Sequence, residues 1–131
     1  MSDEGILLSF PKGLLGFPEL RSFRLFEPSD GYPLKFLQAE ARPDISFVCM
    51  DPAGLRPDYN VQLGDEDAAL LDLHTPEDAL VLTLVVIPED PRRMTTNLAG
   101  PLVVNVKTRQ GLQVVLNADQ YPLQFPVLGE R

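Results

Sequence analysis

Few residues of this chain are of the types that do covalent or metal chemistry, and their spacing keeps them apart. His74 is the only histidine, so a metal site built on two histidines of one chain is excluded. It follows a helical stretch, where a cation beside the C-terminal end of the helix is mildly stabilised; a structural role is expected. Cys49 is the only cysteine. It alternates with Phe47 and Ile45, which places it on an apolar strand face as a buried, inert thiol. A nucleophilic cysteine needs a basic neighbour, and none is evident nearby. Paired carboxylates carry acid–base chemistry in glycosidases, but Glu89 and Asp90 sit in a proline-bounded loop. Asp65, Glu66 and Asp67 begin a helix. Both placements suit solvated surface, and the second run also lacks the spaced ligands and central glycine of a calcium loop. Gly13-Leu14-Leu15-Gly16 has the GxxG spacing of an RNA-clamping loop, yet its interior is Leu-Leu and its neighbouring base is Lys12 alone, a poor phosphate clamp. Gly100 and Gly111 read as turn glycines, and no glycine-rich phosphate cradle follows a strand. No catalytic residue, metal site or cofactor is expected.

What remains is apolar and amide material in loops. Leu14, Leu15 and Phe17 are hydrophobic but lie between glycines and prolines. They either fold inward as a plug or form a docking patch. Thr95, Thr96 and Asn97, running into Leu98, can hydrogen-bond locally or meet a partner's backbone. Charge adds a constraint: 19 acidic against 11 basic residues give a net charge of −8. That field repels nucleic-acid phosphates and favours a basic protein partner, although acidity also serves solubility.

The elements that must position these residues are mostly strands. At 131 residues, 44% of them apolar, the chain fits a single domain, 1–131, with one hydrophobic core. Its 13 prolines are dispersed and punctuate short strands rather than mark a linker. Strands are expected at Ile6–Phe10, Ser22–Phe26, Leu34–Ala39, Ile45–Met50, Tyr59–Leu63, Leu80–Ile87, Leu102–Lys107 and Leu112–Leu116. Turns are expected at Ser29–Pro33, Asp51–Gly54 and Thr75–Asp78. Thr108–Gly111 joins the last two strands as a hairpin, with Gly111 supplying a positive φ. One helix, Asp65–Leu73, is capped by Gly64 or Asp65, with early acids suited to its dipole and a stripe of Ala69, Leu70 and Leu73. Glu89–Met94 is a mobile loop and Gln120–Arg131 a proline-spaced tail. The expected fold class is mostly β: a small antiparallel β-barrel-like domain with one short helix. No apolar run approaches the roughly 20 residues that span a bilayer. The acidic start, Met1-Ser2-Asp3-Glu4, is unlike a secretory signal, and a lone cysteine fits a reducing compartment. A cytoplasmic location is expected.

The order and spacing of several segments resemble the flagellar assembly factor FliW family over nearly the whole chain. They are Phe10-Pro11-Lys12-Gly13-Leu14-Leu15-Gly16-Phe17, Leu37-Gln38, Asp51-Pro52 and Tyr59. The most specific is Thr96-Asn97-Leu98-Ala99-Gly100-Pro101-Leu102-Val103-Val104-Asn105, followed by Gln113-Val114-Val115-Leu116 and Tyr121-Pro122-Leu123. Gly100 stands where alanine or another small residue is expected. The resemblance implies a non-enzymatic β-barrel-like protein that binds flagellin before export. Once freed, it binds the RNA-binding translational repressor CsrA and antagonises it allosterically, relieving repression of flagellin mRNA. For the basic partner the expected contacts are the 89–98 loop (Glu89, Asp90, Thr95, Thr96, Asn97, Leu98) with Asp65 and Glu66. For flagellin's terminal helices the expected contact is an apolar patch of Leu14, Leu15 and Phe17. Two other classes stay open from the residues alone: a passive subunit of another β-rich assembly, and a small carboxylate-dependent hydrolase.

Overall fold

Alternation of apolar and polar side chains builds the first half of the chain as consecutive antiparallel strands. The computed structural model describes residues 5–28 and 34–128. The turn expected at Ser29–Pro33, the acidic start and the end of the tail lie outside the described residues. Strands β1 (Ile6–Ser9), β2 (Ser22–Phe26), β3 (Leu34–Ala39) and β4 (Ser46–Met50) pair in chain order. Their registers align Leu8 with Phe23 and Ala39, and Leu25 with Leu37 and Phe47, so these side chains share one face. Together with Phe10, Leu14, Leu20 and Cys49 they form the main core. The Phe10 and Phe23 rings meet edge to face at 5.7 Å.

The apolar run expected as a buried strand is β5 (Ala79–Val86). After it come β6 (Thr95–Thr96), β7 (Leu102–Asn105), β8 (Gly111–Gln113) and β9 (Phe125–Pro126). The first half of β5 pairs with β7, while Val85 and Val86 pair with β6, which in turn pairs with β9. β7 and β8 form the expected hairpin. The sheet remains open, although an isolated bridge between Ser9 and Gln110 ties the end of β1 to the hairpin. The Ser9 N–H donates to the Arg109 carbonyl at 2.9 Å. The architecture is therefore barrel-like without closing.

All four residues of β7 are buried because it lies between two apolar clusters. Leu102 and Val104 face the main core. Val103 faces a second cluster with Leu71, Leu112 and Val114. Asn105 ends the strand with its amide fully used. Nδ2 donates to the carbonyls of Leu71 (2.8 Å) and Asp72 (3.1 Å), and Oδ1 accepts from the N–H groups of Lys107 and Thr108.

Three local expectations are corrected. Tyr59–Leu63 is not a strand: it keeps the alternating burial of one but has no ladder partner. The helix, α1, runs Asp65–Leu70 and stops short of Leu73, because Asp72 adopts a left-handed backbone with φ of 55°. Its Ala69 and Leu70 are exposed, and Leu71 beyond its end is buried instead. Gly64 precedes it without a side-chain cap, and Asp65, Glu66 and Asp67 occupy its first turn. In the hairpin turn the positive φ belongs to Arg109 (64°), not to Gly111.

Candidate functional site

The turn after β1 resolves the two readings of its apolar residues by dividing them. Leu14 and Phe17 form an isolated antiparallel bridge, each N–H donating to the other's carbonyl, at 3.2 and 2.8 Å. Gly13 makes this possible at φ 70°, where a Cβ would fall 2.5 Å from the Pro18 carbonyl oxygen. Leu14 plugs the core and Phe17 packs half-buried against Phe47 at 5.5 Å. Leu15, at 61% exposure, faces solvent. Its N–H donates to Gln113 Oε1 at 2.8 Å, and Gln113 Nε2 donates to the Gly100 carbonyl at 2.9 Å. Gln113 thus fastens the exposed leucine to the turn that follows Asn97. Sequence reasoning assigned Gln113 no such part; the one signal was an amide between Leu112 and Val114.

The 89–98 stretch also divides. Glu89 is exposed. Asp90 accepts from the Arg92 N–H at 3.1 Å and from two guanidinium nitrogens at 3.0 Å, opening a 3-10 turn over Pro91–Arg93. These bonds from Arg92 hold the Asp90 carboxyl below its ordinary range and raise the guanidinium in turn. Glu89, Asp90 and Thr95 line a shallow depression of about 510 Å³ with Val86 and Arg93. The expected polar loop at Thr95–Asn97 is instead ladder and turn. Thr95 is half-buried in β6, and Thr96 and Leu98 are wholly buried. The Thr96 hydroxyl lies 2.7 Å from that of Thr83 and 3.0 Å from the Leu84 carbonyl. Asn97 Oδ1 accepts from the N–H groups of Ala99 (2.9 Å) and Gly100 (3.1 Å), a self-bonded turn. The side chains of Thr96, Asn97 and Leu98 are committed to the fold, which leaves Glu89 exposed and Asp90 half-buried in its bonds to Arg92.

Asp65 and Glu66 are exposed on α1, and neither lines the depression that Glu89 and Asp90 line. A second groove of about 490 Å³, unmarked in the sequence, is lined by Pro52, Tyr59, Val61, Leu73, His74 and Val103 among others. Tyr59 anchors one wall: its hydroxyl donates to the Leu98 carbonyl at 2.5 Å, and burial pushes its ionisation up, the nearby Tyr121 adding to this and Arg56 opposing it. Arg56 lies over the rings of Tyr121 and Phe125, 5.4 and 5.7 Å from their centroids. His74 pairs with Asp72 at 2.8 Å in the open. Cys49 is buried, and desolvation pushes its thiol up to about 12 against the opposing charge of Lys35. Among the described residues, no three His, Cys, Asp or Glu side chains gather as metal ligands, and no helix is long and apolar enough to cross a membrane.

Fold and surface together define a class: a small antiparallel β protein whose distinctive parts are outward side chains held by bonded turns. The comparisons specify it. Residues 1–127 match the family model described as FliW protein. The flagellar assembly factor FliW of Natranaerobius thermophilus is 35% identical over 98% of this chain and 86% of its own length. That of Carboxydothermus hydrogenoformans is 38% identical over 96% of this chain and 81% of its own. A crystal structure of the flagellar assembly factor FliW superposes with a TM-score of 0.88 at 26% identity, covering 100% of this chain and 91% of that one. The chain belongs to the FliW family of flagellar assembly factors.

Proposed function

We propose that this protein works by binding rather than by catalysis. In the cytoplasm it holds flagellin as a chaperone. Once freed it captures a CsrA-type repressor, weakening that repressor's grip on flagellin mRNA from a surface away from the RNA site. The observation that carries this reading is the pairing of a −8 net charge with exposed apolar side chains on bonded turns, Leu15 foremost. Apolar surface accepts the amphipathic helices at flagellin's ends. An acidic body beside a basic RNA site lowers its affinity for phosphate without filling it, and salt screens that effect over about 10 Å, so direct contact must accompany it.

The test is gel filtration of the purified protein with flagellin, with the repressor, and with both, alongside an RNA gel-shift. The expected result is a complex with each partner, displacement of the repressor by flagellin, and weakened RNA binding by the captured repressor. Failure to retain either partner at micromolar concentration overturns the reading.

A further inference from the structure

Residues 59–63 keep the alternating burial of a strand but pair with no neighbour. Tyr59, Val61 and Leu63 are half-buried while Asn60 and Gln62 are exposed, and Val61 and Leu63 pack on the second cluster. Among the described residues, the backbone N–H groups of Asn60, Val61, Gln62 and Leu63 donate to no protein acceptor. Of the four carbonyls, that of Asn60 alone is engaged, by the Tyr121 hydroxyl at 3.4 Å. The segment is nonetheless fixed at its start. The Tyr59 N–H donates to Arg56 at 2.9 Å, its hydroxyl to Leu98, and its ring meets Tyr121 edge to face at 4.9 Å. Two depressions border it. The 490 Å³ groove reaches Leu73 and His74, and another of about 360 Å³ lies toward Leu116 and Tyr121.

The same part of the chain carries the charge. Residues 51–78 hold eight of the 19 acidic residues and, in Arg56, one of the 11 basic residues, a net −7 of the chain's −8. Everything outside that stretch is close to neutral. Unpaired backbone with strand-like alternation, an apolar groove alongside it and a run of chain rich in acids fall together within residues 51–78.

We propose that residues 60–63 are a strand-addition site for an extended, lysine- and arginine-rich segment of the protein's basic partner. The inference rests on the repressor reading above and says where that partner enters. Main-chain bonds along one edge, through the alternate residues Asn60 and Gln62, supply affinity that does not depend on sequence, and alternate apolar side chains of the incoming strand enter the groove. The intervening cations meet the acids of 51–78, which speeds encounter and sets the direction of the added strand. A bound helix would satisfy its own backbone and leave these N–H groups unused. A nucleic acid would be repelled. The ordered Tyr59 anchor lowers the entropy lost on docking.

Hydrogen exchange of the full chain, alone and saturated with the purified CsrA-type repressor, tests the site. The amides of 60–63 exchange freely in the unbound protein, and those of Asn60 and Gln62 slow by at least about tenfold in the complex. Gln62→Pro, which removes an N–H that bonds nothing in the free fold, weakens repressor binding about tenfold or more. Gln62→Ala stays within about twofold. Asp72→Asn with Glu77→Gln weakens it several-fold at low salt and little at high salt. Undiminished binding to folded Gln62→Pro, or a complex that leaves Asn60 and Gln62 unprotected, overturns this site while the proposed function stands. Folded wild-type protein that does not bind the repressor overturns both. Should Gln62→Pro not fold, exchange in the wild-type complex decides.

Discussion

Gly111 backs directly onto Phe10: a Cβ at position 111 would fall 2.6 Å from Cε2 of the Phe10 ring. Its requirement is space, whereas the left-handed residue of the same turn is Arg109. The two needs separate cleanly by mutation. Gly111→Ala is expected to destabilise by about 1–3 kcal/mol through overpacking. Arg109→Gly is expected to stabilise by up to about 1 kcal/mol through relief of the positive φ. Urea melts of both variants check this, and the same sign for both would refute it.

Asn105 joins the helix end to the hairpin through four bonds from one buried amide. Asn105→Ala deprives the Leu71 and Asp72 carbonyls and the Lys107 and Thr108 N–H groups at once. The expected cost is about 3 kcal/mol, since buried polar groups left unpaired lose their full solvation. Thermal melting reads it. A loss under about 1 kcal/mol would mean that water replaces the amide.

β2 and β3 were legible to the residue because one face of each is buried and the period-2 pattern is local to the strand. The β7–β8 hairpin was legible for the same reason, but its two-sided burial was not, since that depends on which segment covers the outer face. Tyr59–Leu63 shows the limit from the other side. The alternation is there, but a strand also needs a partner, and local pattern does not encode one. The helical spacing of Ala69, Leu70 and Leu73 predicts a longer helix than α1, because the left-handed turn at Asp72, whose carbonyl Asn105 holds, is not encoded in that spacing. The candidate contacts were legible by type rather than by exposure. Leu14 and Leu15 are the same residue type side by side, and the reach of Gln113 across 98 positions decides which one faces out.

Cys49 should be chemically silent in the native protein. Its thiol is raised from about 9 to about 12 by burial, so the folded form keeps its proton where the unfolded chain has lost it. The contribution to stability is intact below about pH 9 and declines between about pH 9 and 12, by at most about 1.4 kcal/mol per pH unit. Labelling with a thiol reagent at pH 8 is expected to proceed only as fast as the protein opens, and quickly in denaturant. Rapid stoichiometric labelling of the folded protein would contradict the burial.

The 89–98 stretch and the turn at Leu15 allow folding and binding to be separated. Leu98 is wholly buried and its carbonyl receives the Tyr59 hydroxyl, so Leu98→Ala should cost about 2–5 kcal/mol through the cavity it leaves. Glu89 is solvated, and Glu89→Gln should shift stability by less than about 0.5 kcal/mol. Leu15→Ser belongs with Glu89→Gln in stability, because its hydrogen bond to Gln113 uses backbone N–H, which serine keeps. It differs in binding: with an exposed apolar side chain removed, flagellin affinity should fall about tenfold, roughly the worth of burying one leucine at 1.5–3 kcal/mol reduced by its part exposure. Gln113→Ala completes the set. It leaves Leu15 in place but unfastened, at a cost of about 1 kcal/mol in stability, and should weaken flagellin binding less than Leu15→Ser does. Calorimetric titration of each variant, normalised to its folded fraction from a denaturant curve, distinguishes these outcomes. Full flagellin affinity in Leu15→Ser would remove the turn from the binding surface. A stable Leu98→Ala that has lost binding would mean that the buried half of the 89–98 segment, rather than its acids, governs recognition.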